Sequence, residues 1–166
     1  MIAIADPIRR RQSDTAEIKR AWSLIIEPGQ VTELRALEAT MGGDRYAQTL
    51  SGYFDNPDAF ARAAASIQTA ANIYFVLNPI MPALLSRRVN KIRPAKKSPL
   101  TGDKEIVRRR LFPIDCDPIR PAGIASTDEE HDAAIAMARD IADHLRTCRW
   151  PEPIIGDSAN GGIFST

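Results

Sequence analysis

The stretch Leu111-Phe112-Pro113-Ile114-Asp115-Cys116-Asp117 decides how this chain reads. An apolar run, led in by residues 106–114, ends in two aspartates with one residue between them. Strand side chains alternate, so residues two apart share a face, with Cα atoms roughly 6–7 Å apart. Asp115 and Asp117 are then expected to hold two carboxylates on one face, able to grip one divalent cation or bridge a pair. Uncompensated, such neighbours repel and one takes up a proton. Cys116 points the other way and is expected to pack as a small buried hydrophobe. A bare Asp-x-Asp also suits a solvated strand end, so its surroundings must decide.

Downstream, residues 118–126 form a Pro- and Gly-containing connection, and Thr127 opens the clearest helix. Thr127 and Glu130 make a capping box, and Ile135, Ala138, Ile141, Ala142 and Leu145 form an apolar stripe over 127–147. Acidic residues crowd its start, and His144 and Arg146 lie near its end, as the helix dipole prefers. Pro151 and Pro153 stop it. Ile154-Ile155 begin a last short strand, followed by the turn-rich Asp157-Ser158-Ala159-Asn160-Gly161-Gly162. By itself Asn160-Gly161-Gly162 suits an ordinary turn, and glycines also let backbone N–H groups approach phosphate.

Upstream, Asp14 with Glu17 predicts a helix over 14–26 carrying Ile18, Trp22 and Ile25 on one face. Residues 31–37 and 49–54 read as strands. Pro57 suits the first position of a helix over 57–70, with Phe60, Ala63, Ala64 and Ile67 on one face. Residues 72–77, NIYFVL, read as a buried strand. The order βαβ predicts an α/β layer. Residues 94–104 lack periodicity and read as a mobile loop. Trp22, Trp150, Tyr53, Phe54, Tyr74 and Phe75 read as packing residues, and His144 as a surface residue.

In 166 residues, 44% hydrophobic and 26% charged, the composition is that of a globular protein and excludes wholesale disorder. No apolar run approaches the ~20 residues of a membrane span. The N-terminus has the wrong order for a secretory signal, and two cysteines make no disulfide framework, so a cytoplasmic protein is expected. The net charge of +1 hides an asymmetry. Residues 86–110 carry ten basic and two acidic side chains, and residues 111–166 carry four basic and ten acidic. Such a pattern suits a solvated loop followed by a helix with an acidic face, and equally a polyanion-binding segment beside a metal site, in which Arg87, Arg88, Lys91, Arg93, Lys96 and Lys97 would be the nucleic-acid contacts.

The stretch IDCDPIRPAGIASTDEEH (114–131), followed by WPEP (150–153) and SANGG (158–162), resembles the catalytic domain of phage and plasmid primase-polymerases, of the archaeo-eukaryotic primase superfamily. SGYFD (51–55) and IYFVLNP (73–79) extend the likeness over nearly the whole chain. The resemblance implies an α/β (α+β) fold. An N-terminal βαβ-containing module (1–90) and a basic mobile loop (91–105) would precede an incomplete RRM-like metal-binding module (106–166). It implies nucleotidyl transfer from nucleoside triphosphates on a DNA template, with Mg2+ or Mn2+ on Asp115 and Asp117. Ser158, Asn160, Gly161 and Gly162 would contact the nucleotide. A replicative helicase domain or protein is the further partner implied, and no membrane.

The family motif reads Ser-Gly-Asn-Gly-x-His, and here Ile163 stands at the His. The family's third acidic residue lies on a later strand, and the sequence stops at Thr166. A C-terminally truncated, inactive fragment is therefore expected, with the Asp115–Asp117 strand left with an unpaired edge and the helix stripe only partly covered. Two other readings compete. Haloacid-dehalogenase-type phosphatases also use Asp-x-Asp, but their chemistry wants a downstream Lys and none follows Lys104. The second is a non-catalytic nucleic-acid-binding remnant.

Overall fold

Residues 14–119, 126–157 and 162–165 (the last four for their backbone) are described by a computed structural model. The elements run α1 (Thr15–Ile25), β1 (Thr32–Ala39), β2 (Gln48–Phe54), α2 (Pro57–Ala65), β3 (Asn72–Phe75), β4 (Arg93–Pro94), β5 (Pro113–Cys116), α3 (Asp128–Thr147), β6 (Ile154–Asp157) and β7 (Gly162–Ser165). Short 3-10 turns occupy Pro82–Arg87 and Asp103–Glu105. The chain divides between Arg108 and Arg109 into two compact units. Both sheets are antiparallel, so the protein is mixed α+β, not a parallel α/β layer.

The first unit holds a sheet of order β3-β1-β2-β4. β2 and β3 each run antiparallel to β1. They are thus parallel to each other, and α2 joins them across the strand between, a split βαβ. α1 starts at the cap read from sequence, and α2 starts at Pro57 as expected, behind a cap the sequence reading did not name. Asp14 Oδ1 accepts from the N–H groups of Ala16 and Glu17 at 2.9 and 3.2 Å. Asn56 Oδ1 accepts from Ala59 N at 2.9 Å, with Pro57 following it. α2 ends at Ala65, short of the predicted 70, because the Ser66 hydroxyl turns back to the Ala63 carbonyl.

One face of this sheet carries Leu34, Ala36, Leu50 and Phe54 against Trp22 and Phe60 of the helices. Phe60 stacks tilted or edge-on with Trp22, Phe54 and Phe75, at centroid distances of 5.0, 5.5 and 5.8 Å. The other face is covered as well. Val31 and Tyr53 pack with Ile80 and Leu84, and Thr101 donates its backbone N–H to Glu33. Burial on both faces explains the weak alternation of 31–37.

Two upstream expectations change. β3 lies at the sheet edge, where Ile73 and Tyr74 are both half exposed, not buried. An edge strand packs on one side only. The segment expected as a mobile loop is pinned instead. It contributes β4, Ala95 N donates to the Thr49 carbonyl at 2.8 Å, and Arg87 reaches the Pro99 carbonyl. Gly52 permits this close return, since a Cβ there would stand 2.3 Å from the Lys91 carbonyl oxygen.

In the second unit the sheet order is β5-β7-β6. β7 runs antiparallel to both neighbours, so β5 and β6 are parallel and joined by α3. Thr127 Oγ1 accepts from Glu130 N at 3.2 Å and Glu130 Oε2 from Thr127 N at 2.9 Å, the capping box read from sequence. Ile114 and Cys116 pack on Ala138, Ile141 and Leu145. Arg149 ends the helix at φ +62°, Trp150 N caps the Leu145 carbonyl, and Arg146 grips both Asp143 and Glu152. Residues 162–165 form a strand between β5 and β6, against the expectation that 154–157 would be the last. The expected open edge of β5 is thus paired on one side. Its other side has no strand partner among the described residues.

Candidate functional site

Asp115 lies in β5 opposite Ile163 of β7. Its neighbours Ile114 and Cys116 turn toward α3, so alternation puts Asp115 on the face away from the helix. β5 ends at Cys116, so Asp117 belongs to the connection. It lines a cavity of about 340 Å3 with Cys116, Ile119, Glu130, Ala134 and Met137. Asp117 thus lines a cavity on the α3 side while alternation turns Asp115 away from α3, so the one-face pairing expected from the sequence is not seen among the described residues. Both carboxylates are exposed, and neither has a hydrogen bond or ion pair among the described residues. Cys116 is 7% exposed, as its reading as a core residue requires. Burial raises its thiol pKa, and the charges of Asp115 and Asp117 raise it further. Both carboxylates therefore act on one buried atom.

Gly162 pairs with Cys116 on one side and Asp157 on the other. The Gly162 end of the Gly-rich connection thus stands beside the end of β5 that carries Asp115, and the Asp157 end lies one strand further, beyond β7. Ser158, Asn160 and Gly161 lie outside the described residues; of the expected nucleotide contacts only the Gly162 backbone is placed. Beside it, His131 in the first turns of α3 meets Asp157 at 2.9 Å. That hydrogen bond raises the His131 pKa; partial burial opposes it, while the charges of Asp157, Asp132 and Asp128 reinforce it. This pair anchors the end of β6 to the helix start. Among the described residues no three His, Cys, Asp or Glu side chains converge closely enough to hold a metal ion.

The basic residues divide by use. Arg88 is spent inside the first unit, donating to Ser51 Oγ at 3.3 Å and to the Ala95 carbonyl at 3.1 Å. Arg87 donates to the Pro99 carbonyl at 3.2 Å. The side chains of Lys91, Arg93, Lys96 and Lys97 are exposed, with no ion pair or hydrogen bond among the described residues.

Sequence reading missed a buried polar network. Glu33 is fully buried and accepts from Ser51 Oγ at 2.6 Å, Arg35 Nη2 at 2.8 Å and Thr101 N at 2.9 Å. Burial alone would raise its pKa, but the bonds from Arg35, Ser51 and Thr101 outweigh it and hold the carboxyl below its ordinary value. A Glu and an Arg two apart on a strand signal such a pair, since they share a face.

Comparison with protein families, with curated proteins and with solved structures finds no match to this chain.

Proposed function

We propose that this chain carries the metal- and triphosphate-binding half of a nucleotidyl-transfer site of the primase-polymerase type. The observation that supports it most is the pair of exposed carboxylates, Asp115 and Asp117, which have no hydrogen bond or ion pair among the described residues and flank a buried cysteine that pairs with Gly162 at the end of the Gly-rich connection. Two hard oxygen donors suit Mg2+ or Mn2+, since magnesium is commonly held by one or two carboxylates with water and substrate phosphates completing its shell. When bound, such an ion neutralises triphosphate charge. Asp115 and Asp117 would hold it, and backbone N–H groups near Gly162 would meet phosphate oxygens. DNA template and nucleoside triphosphates are the partners of this reading, and a replicative helicase domain or protein is its further partner.

Only two carboxylates serve the site among the described residues, and Ile163 replaces the motif's histidine. Binding without efficient transfer is the expected behaviour. The test is Mn2+-dependent binding of a nucleoside triphosphate, followed by primer extension on a DNA template. The expected result is binding that vanishes in Asp115→Ala plus Asp117→Ala, with no extension. Triphosphate binding indifferent to Mn2+ and to both substitutions overturns the site. Robust extension abolished by Asp115→Ala overturns the expected lack of transfer.

A further inference from the structure

A second concavity, in the first unit, is lined by basic residues from two distant parts of the chain. It measures about 340 Å3 and lies between α2 and the segment entering β4, with Arg62, Asn90, Lys91 and Arg93 on its polar wall and Met41 and Ala63 among its apolar lining. No carboxylate lines it among the described residues. The three cations are exposed and have no hydrogen bond or ion pair among the described residues. Three like charges around one hollow repel one another, and an anion seated among them removes that repulsion.

The bend that carries Lys91 is rigidly built. Asn90 sits at φ +51°, in the left-handed region. Its backbone N–H donates to the Tyr53 carbonyl at 2.8 Å, and Tyr53 N donates back to the Arg88 carbonyl at 3.2 Å. Its side chain accepts from Asp55 N at 3.2 Å and donates to the Asp55 carboxylate at 2.7 Å. That bond pairs the Asp55 carboxylate with Asn90. Gly52 lets the Lys91 backbone close directly onto β2. A cationic wall on a preorganised bend differs from lysines on a solvated loop, because little ordering cost remains for the ligand to meet.

We propose that Arg62, Lys91 and Arg93 form a phosphate-binding subsite for the backbone of single-stranded DNA. The choice of single-stranded DNA over other phosphate ligands rests on the proposed function; the anion site itself does not. Arg62 is the telling residue, since it lies outside the basic block and only the fold brings it to Lys91 and Arg93.

The test measures oligothymidylate affinity by fluorescence anisotropy across a NaCl series. Each phosphate contact contributes about −0.7 to the slope of log K against log salt for a single strand. Arg62→Ala should flatten the slope by about 0.7, and Arg62→Ala with Lys91→Ala and Arg93→Ala by about 2. Lys96→Ala plus Lys97→Ala, outside the hollow, should flatten it less than the triple variant. Far-ultraviolet circular dichroism of each variant should match the parent; a variant that fails this is replaced by the charge-keeping Arg62→Lys, which should retain the slope. An unchanged slope in Arg62→Ala and the triple variant overturns the subsite. Tight binding of inorganic tripolyphosphate, lost in the triple variant, with no oligonucleotide binding, overturns the assignment to a DNA backbone. The salt series is run with and without Mn2+; a slope that depends on Arg62, Lys91 and Arg93 in both keeps failure of the metal reading distinguishable from failure of this one.

Discussion

Replacing Glu33 with Ala should destabilise the first unit by about 3 kcal/mol, the lower end of the ~3–5 kcal/mol for removing one partner of a buried ion pair. The structure sets that choice. Glu33 is fully buried and accepts charge-assisted bonds from Arg35, Ser51 and Thr101. Arg35, however, is 28% exposed, so once orphaned its guanidinium can still reach water. Ser51 Oγ and Thr101 N lose an acceptor inside the fold, and their unmet hydrogen bonds supply part of the cost. Against a total stability of ~5–15 kcal/mol this is a large fraction. The assay is urea unfolding followed by Trp22 fluorescence in a Trp150→Phe background, because Trp22 is buried in the first unit and Trp150 lies in the second. With a slope of about 1–3 kcal/mol per molar urea, the midpoint should fall by roughly 1–3 M. Glu33→Gln, which keeps the shape and loses the charge, should lie between parent and Ala. A change in Glu33→Ala within about 0.5 kcal/mol, the range of an ordinary surface substitution, would refute the reasoning.

The same network fixes an acid limit. The Glu33 pKa is lowered in the fold, so its stabilisation is fully present above the unfolded value of about 4.3 and is lost as pH falls through the folded value; Glu33→Gln should flatten the acid limb of a stability–pH profile. His131 behaves oppositely. Its raised pKa makes the bond to Asp157 stabilising below the unfolded value of about 6.5 and loses that contribution as pH rises through the folded value. An NMR titration should show the His131 midpoint fall in Asp157→Asn. Gly52→Ala should destabilise by roughly 1–3 kcal/mol in the urea assay, because its methyl would meet the Lys91 carbonyl oxygen.

The helices were legible in the sequence because their caps are local. Asp14, Asn56 and Thr127 each accept from the backbone two or three residues onward, and a Pro or an acidic residue marks the first turn. The positions of β1, β2, β3, β5 and β6 were legible too, but not their partners, while β4 and β7 were not read as strands. Order βαβ suits a parallel pair and equally the split arrangement found, in which β1 lies between β2 and β3. The exposure of Tyr74 was hidden because NIYFVL reads the same on an edge as in a centre. Residues 94–104 lack periodicity because they are held by long-range bonds, such as Thr101 N to Glu33, and such bonds leave no local pattern. At the candidate site Cys116 was legible from alternation alone. The position of Asp117 was not, since alternation stops where β5 stops. Ser158, Asn160 and Gly161 lie outside the described residues. Arg62 gave no sign, being one arginine on an amphipathic helix until the fold sets it near Lys91.

Titration with Mn2+ by calorimetry, in the parent protein and in Asp115→Ala plus Asp117→Ala, reports whether these two carboxylates hold a metal ion. Two carboxylates with no third ligand among the described residues predict weak binding that disappears in the double variant, while Trp22 fluorescence shows the first unit still folded. A binding signal of the same size in the double variant would remove Asp115 and Asp117 from the site, and the proposed metal-dependent chemistry with them.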